Sequence, residues 1–82
     1  MKKVGTVDHY YGKIGVATVK LSGTLKVGDR IKIKDGENEF EQTVSSMQVE
    51  HKKVEEAKKG EVIGLEVAGK AREGAIVNLL KE

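Results

Sequence analysis

This 82-residue chain has no cysteine, no proline and only three aromatic residues, Tyr10, Tyr11 and Phe40. Without cysteine, neither a disulfide framework nor a thiolate zinc site can staple the fold. No stretch approaches the ~20 apolar residues of a membrane-crossing helix, and the opening residues lack the apolar run of a signal peptide. The expectation is a soluble, cytoplasmic protein without membrane association. Arginine and aspartate are scarce as well, with 2 Arg and 3 Asp against 13 Lys and 10 Glu. Such Lys/Glu enrichment is reported for proteins from hot environments, a thermophile signature. The length suits one small domain over residues 1–82, and a chain of this size buries roughly 60–65% of its unfolded surface. Its stability must come from close packing of Val, Ile, Leu and Ala, and a monomer is the expected state.

Charge is distributed unevenly. Residues 1–34 carry eight Lys/Arg and two Asp, whereas residues 35–82 carry seven Lys/Arg and eleven Asp/Glu. A basic first half can attract polyanions, unless the two halves interleave and mix their charges.

The segments read as strands. "KVGTVDHY" (3–10) and "KIGVATVKL" (13–21) are rich in β-branched residues. "RIKIK" (30–34) alternates, so Ile31 and Ile33 share an inner face while Arg30, Lys32 and Lys34 point outward. "EFEQTVSSMQVE" (39–50) starts with Phe40 and Val44 on one face and loses alternation near Met47, where a bulge would restore it. "EVIGLEVAG" and "AIVNLLK" complete the set. "KKVEEAKKG" (52–60) permits a helix but is too short for a stable independent one. "DGEN" supplies hairpin turn chemistry, with Asp35-Gly36 its strongest signal.

A faint repeat runs through the chain. "KVGDRIKI" (26–33), "KKGEVIGL" (58–65) and "REGAIVNL" (72–79) each place a basic residue two positions before Gly28, Gly60 or Gly74. Apolar residues follow three and five positions after each glycine. Glycine tolerates the positive φ of a sharp turn into a strand. No helix follows to give these glycines a phosphate-binding role. Short strands, ten glycines and no proline point to an all-β fold, a small six- to seven-stranded antiparallel barrel that is closed or nearly so.

Catalytic signals are weak. Ser45 and Ser46 have no G-x-S-x-G elbow and no nearby His–acid pairing. His9 follows Asp8 and His51 follows Glu50, but the pairs are 42 residues apart and lack helical ligand spacing; they read as surface histidines. Glu55, Glu56 and Glu61 lie among lysines and read as a solvated, charge-mixed loop. No cofactor, metal site or enzymatic role is expected.

"SGTLKVGDRIKI" and "VSSMQVEHKKVEEAKKGEVIGLEV" together resemble the second domain of the translational GTPases, the β-barrel that follows the GTPase domain in elongation factor Tu and initiation factor 2. Gly23, Leu25, Gly28 and Asp29 match its G-x-L-x-x-G-D pattern. Ser46-Met47-Gln48, Val54, Ala57, Gly60-Glu61 and Ile63-Gly64-Leu65 follow in the family's order. At Arg72-Glu73-Gly74, Ala75 stands where the family carries an acid. "DHYYGKIGVATVKL" also resembles stand-alone elongation-factor-like proteins and the C-terminal barrel of collagenase-like peptidases. No P-loop or Asn-Lys-x-Asp element is present, so GTP binding and hydrolysis are excluded for this chain.

The resemblance implies a non-enzymatic barrel binding RNA, tRNA or the ribosome. Base stacking on an aromatic contributes roughly 1–3 kcal/mol, and lysines along phosphates add a salt-dependent term. His9, Tyr10, Tyr11 and Lys13 have that chemistry, and Lys20, Arg30, Lys32 and Lys34 would extend the surface. Adjacent strand residues face opposite ways, so at most one tyrosine packs inward and the outward one is the site candidate. The alternative is a protein-interaction accessory module with a peptidase-like protein partner.

Overall fold

The computed structural model describes residues 2–80, and its secondary structure is all β. Ten strands form: β1 (Lys2–Tyr11), β2 (Val16–Leu21), β3 (Leu25–Lys26), β4 (Arg30–Asp35), β5 (Asn38–Thr43), β6 (Met47–Val49), β7 (Lys52–Val54), β8 (Glu56–Ala57), β9 (Val62–Glu66) and β10 (Ile76–Leu79). Eight of them make one antiparallel sheet in the order β5-β4-β10-β1-β2-β9-β6-β7, and β3 pairs with β8 in a separate two-stranded piece. Among the described residues no helix is long and apolar enough to cross a membrane.

The alternation in the sequence sets which side chains enter the core. Ile31 and Ile33 on β4, Ala17, Val19 and Leu21 on β2, and Ile63 and Leu65 on β9 are all buried, and among the described residues no polar or charged side chain is. The long first strand keeps its faces by bulging twice, between Lys3 and Gly5 and between Val7 and His9. After the second bulge His9 and Tyr11 lie opposite Thr18 and Val16 on β2, and Tyr10 lies opposite buried Ala17.

The repeated glycines do what their spacing predicts. Gly28, Gly60 and Gly74 have φ of 98°, 95° and 93°. In each turn the residue after the glycine donates its amide to the carbonyl of the basic residue, as in Asp29 to Lys26 at 3.0 Å, Glu61 to Lys58 at 3.1 Å and Ala75 to Arg72 at 3.0 Å. Positive φ at the third position is what a type II turn requires. Asp29 and Glu61 also accept the amides of Lys26 and Lys58, at 2.9 and 2.7 Å. The Asp35-Gly36 signal is met by a two-residue hairpin in which Gly36 has φ 64°.

Three expectations change. Residues 39–50 are not one bulged strand: β5 ends at Thr43, Val44–Ser46 turn a corner, and β6 starts at Met47 to pair with β9. The helix-permissive stretch 52–60 forms β7 and β8, because Lys52–Val54 pair back onto β6 and Ala57 is buried against Leu25. The segment "KIGVATVKL" enters its strand only at Val16, Gly12–Gly15 being the turn. Lys81, included in the last predicted strand, lies outside the described residues.

Among the described residues, backbone pairing does not run all the way round the barrel. At the seam, Gln42 on β5 bridges to the end of β9 through its side chain. Its Nε2 donates to the carbonyl of Glu66 at 2.8 Å, and its Oε1 accepts the amide of Ala68 at 2.7 Å. These are the two bonds that a neighbouring strand would have made.

Candidate functional site

The outer surface can be read row by row from the strand register. One row crosses β4, β10, β1, β2 and β9 as Lys34, Ile76, Thr6, Lys20 and Val62. The next crosses β1, β2, β9, β6 and β7 as His9, Thr18, Gly64, Gln48 and Lys53. A third begins with Tyr11, Val16 and Glu66.

The eight sequence-derived candidates fall into separate groups on this grid. His9 and Tyr11 share the outer face of β1, with ring centroids 4.4 Å apart and planes inclined at 54°. Tyr10 turns inward, packs against the core and lays its ring over Gly12, where a Cβ would sit 3.3 Å from its Cε2. Lys13 is exposed in the turn beside them. Lys20 stands four residues past Val16, about 13 Å along the strand at ~3.3 Å per residue. Arg30 and Lys32 face the glutamates of β5, with Arg30 to Glu41 at 3.8 Å and Lys32 to Glu39 at 3.6 Å. The acidic second half of the chain therefore mixes its charge into β4. Lys34 lies three strands from Lys20, and neither forms an ion pair among the described residues.

Tyr11 belongs to a feature that the sequence did not disclose. Of the four exposed large hydrophobics among the described residues, Tyr11 (47%), Ile14 (68%) and Val62 (47%) line one groove of roughly 550 Å³. Gly64 forms its floor between Thr18 and Gln48, and Val16 supports the Tyr11 side. The opposite wall is the tip of the β6–β7 hairpin, Glu50 and His51. Both tip residues have positive φ, 51° and 68°, in a two-residue loop between paired Val49 and Lys52. Such a loop favours Asn-Gly, and each non-glycine residue there costs roughly 1–2 kcal/mol. Only the register, which puts Gly64 and the tip side by side, exposes this groove; a weak signal was the outward tyrosine. Among the described residues no three His, Cys, Asp or Glu side chains gather in a way that could hold a metal ion.

A small antiparallel barrel with a grooved outer face defines the class, and the comparisons give it a family. The model of elongation factor Tu domain 2 matches residues 15–77, and the chain belongs to that family. An uncharacterized protease of Methanocaldococcus jannaschii is 44% identical to it over 81 residues, 98% of this chain. The chain spans 20% of that relative's length. Two crystal structures of the C-terminal domain of a Geobacillus thermoleovorans protein designated a U32 peptidase share the fold, at 18% identity. One superposes with a TM-score of 0.91 over 98% of this chain and 93% of that domain. The other, a selenomethionine variant, gives 0.90 over 95% and 99%.

Proposed function

We propose that this barrel is a non-catalytic accessory module that serves a peptidase-type domain through protein contact. The observation that carries the reading is the clustering at one groove of Tyr11, Ile14 and Val62, three of the four exposed large hydrophobics among the described residues. Contiguous exposed apolar surface marks interaction sites. Its context is the match to a protease of which this sequence corresponds to one part. Among the described residues the buried core is apolar throughout, which fits a structural module. The test mixes the 82-residue chain with the M. jannaschii protease from which the matching segment has been deleted. Calorimetry should report saturable association that nuclease leaves unchanged, and failure to associate sinks the reading.

The RNA reading keeps one observation in its favour, the exposed Tyr11 beside His9 with Lys13 next in the turn. It requires labelled RNA to bind at low salt and to be lost steeply as salt rises. Unchanged binding after neutralising Lys20, Arg30, Lys32 and Lys34 would remove it.

A further inference from the structure

Gly64 has no conformational or packing reason to be glycine. Its φ is not positive, and a Cβ built on it would stand 3.9 Å from Gln48 Cβ and 4.0 Å from Val16 Cγ1, ordinary contact distances. Glycine inside a strand weakens the strand and often marks a place where something else approaches the backbone closely. Here the missing side chain is what opens the groove. Its far wall, Glu50 and His51, is held in the left-handed conformation that a two-residue loop imposes and that Asn-Gly would adopt at less cost. Strain of this kind gathers where surfaces bind. Two independent departures from the best folding sequence thus meet at one spot.

The rim indicates what fits. Lys13 stands beside Ile14, Lys20 lies opposite Val62, and Lys53 lies opposite Gln48. None of the three forms an ion pair among the described residues. Glu50 lines the groove and Glu66 lies opposite Val16, so the three lysines stand outside the lining against two carboxylates, and a cationic rim surrounds a groove that itself holds one acid. The volume of roughly 550 Å³ lies within the usual range for bound groups, about 300–1,000 Å³.

We propose that this groove is the docking site of the module and that its occupant is a short extended segment of the peptidase-type domain, presenting apolar side chains flanked by carboxylates. The apolar side chains fill the space over Gly64 against Tyr11, Ile14 and Val62, and the carboxylates meet Lys13, Lys20 and Lys53. The inference rests on the accessory-module reading.

The experiment repeats the association with the segment-deleted M. jannaschii protease using three forms of the chain: wild type, Gly64→Val, and Lys20→Glu/Lys53→Glu. Valine at position 64 fills the groove yet suits a strand, so its melting temperature should equal or exceed that of the wild type. Its affinity should fall about tenfold or more, the loss typical of an interface centre. The charge reversal should weaken association most at low salt, and amide shifts in the wild-type complex should centre on Thr18, Gln48 and Gly64. Wild-type association that Gly64→Val leaves intact overturns the groove and spares the module reading. No wild-type association overturns both. A single-stranded RNA oligonucleotide whose binding is abolished by Gly64→Val would assign the groove to nucleic acid and overturn the proposal.

Discussion

Asp35, at the end of β4, accepts two hydrogen bonds from Arg72, a residue 37 positions away, through one carboxylate oxygen. Arg72 Nε lies at 3.0 Å and the Arg72 amide at 3.3 Å. In the other two glycine turns the amide of the basic residue is satisfied by the acid three positions on, Asp29 or Glu61. The third turn has Ala75 at that position, buried to 2% exposure, and Asp35 supplies the carboxylate from another strand. The departure from the family pattern at Ala75 is thus compensated in space.

This geometry fixes a pH dependence. The guanidinium bond from Arg72, then its amide bond, hold the Asp35 carboxyl below its ordinary value of 3.8. Because the folded-state value is depressed, the stabilisation is complete above the unfolded value and disappears as pH falls through the folded one. Asp35→Asn should therefore melt below the wild type at neutral pH, and the gap should narrow below about pH 4. A gap that stays constant down to pH 2 would refute the coupling.

Restoring the family's acid should harm this chain. Ala75→Asp places a carboxylate in a buried position whose amide partner is already bonded to Asp35. We expect a loss of roughly 2 kcal/mol or more, from burial of a charge beside a like charge. Adding Asp35→Asn should return part of it, and a double-mutant cycle on melting curves measures the coupling.

The three turn glycines offer a matched set. A Cβ at Gly28, Gly60 or Gly74 would meet nothing within 4 Å, so alanine there costs backbone conformation alone. Each substitution should cost about 1–2 kcal/mol, or roughly 4–8 °C of melting temperature per kcal/mol for a chain of this size. Gly5→Ala should cost more, because its Cβ would sit 2.6 Å from Val19 Cγ1 and 3.0 Å from the Lys20 carbonyl oxygen. Equal losses at all four sites would contradict the steric account of Gly5.

Replacing Glu50-His51 by Asn-Gly should raise stability by about 1–2 kcal/mol, since both positions adopt positive φ. Denaturant midpoints decide this, and an unchanged midpoint would show that the hairpin tip carries no strain.

The parts legible in the sequence were those set by local chemistry. The three glycine turns, the Ile31/Ile33 alternation and the Asp35-Gly36 hairpin each follow from a few neighbouring residues. Tyr10 and Tyr11 split inward and outward because alternation demands it. What stayed hidden depends on register between distant segments. The corner at Val44–Ser46 reads as continuous strand, and residues 52–60 read as helix-permissive, because only pairing with β6 and β3 supplies the order that their composition lacks. The groove needs Gly64, Tyr11 and the Glu50-His51 tip brought together, and Glu-His lacks the Asn and Gly that favour a two-residue loop. The charge asymmetry between the halves was real in sequence, yet β4 and β5 pair across the dividing point and partly cancel it. The family match begins at residue 15, so "DHYYGKI" lies before it.

Gln42 gives the barrel an unequal resistance to opening. The other junctions of the eight-stranded sheet are backbone ladders, whereas β5 meets the end of β9 and the segment after it through side chains, with Gln42 making two hydrogen bonds and the Phe40 ring lying against Gly69. Removing that side chain, as in Gln42→Ala, should cost about 1–3 kcal/mol. It should also speed hydrogen exchange at the Ala68 amide before any amide of β1 or β2 responds. Unfolding would then begin as an unzipping from this margin, with the edge of β5 the first backbone available to a neighbouring molecule.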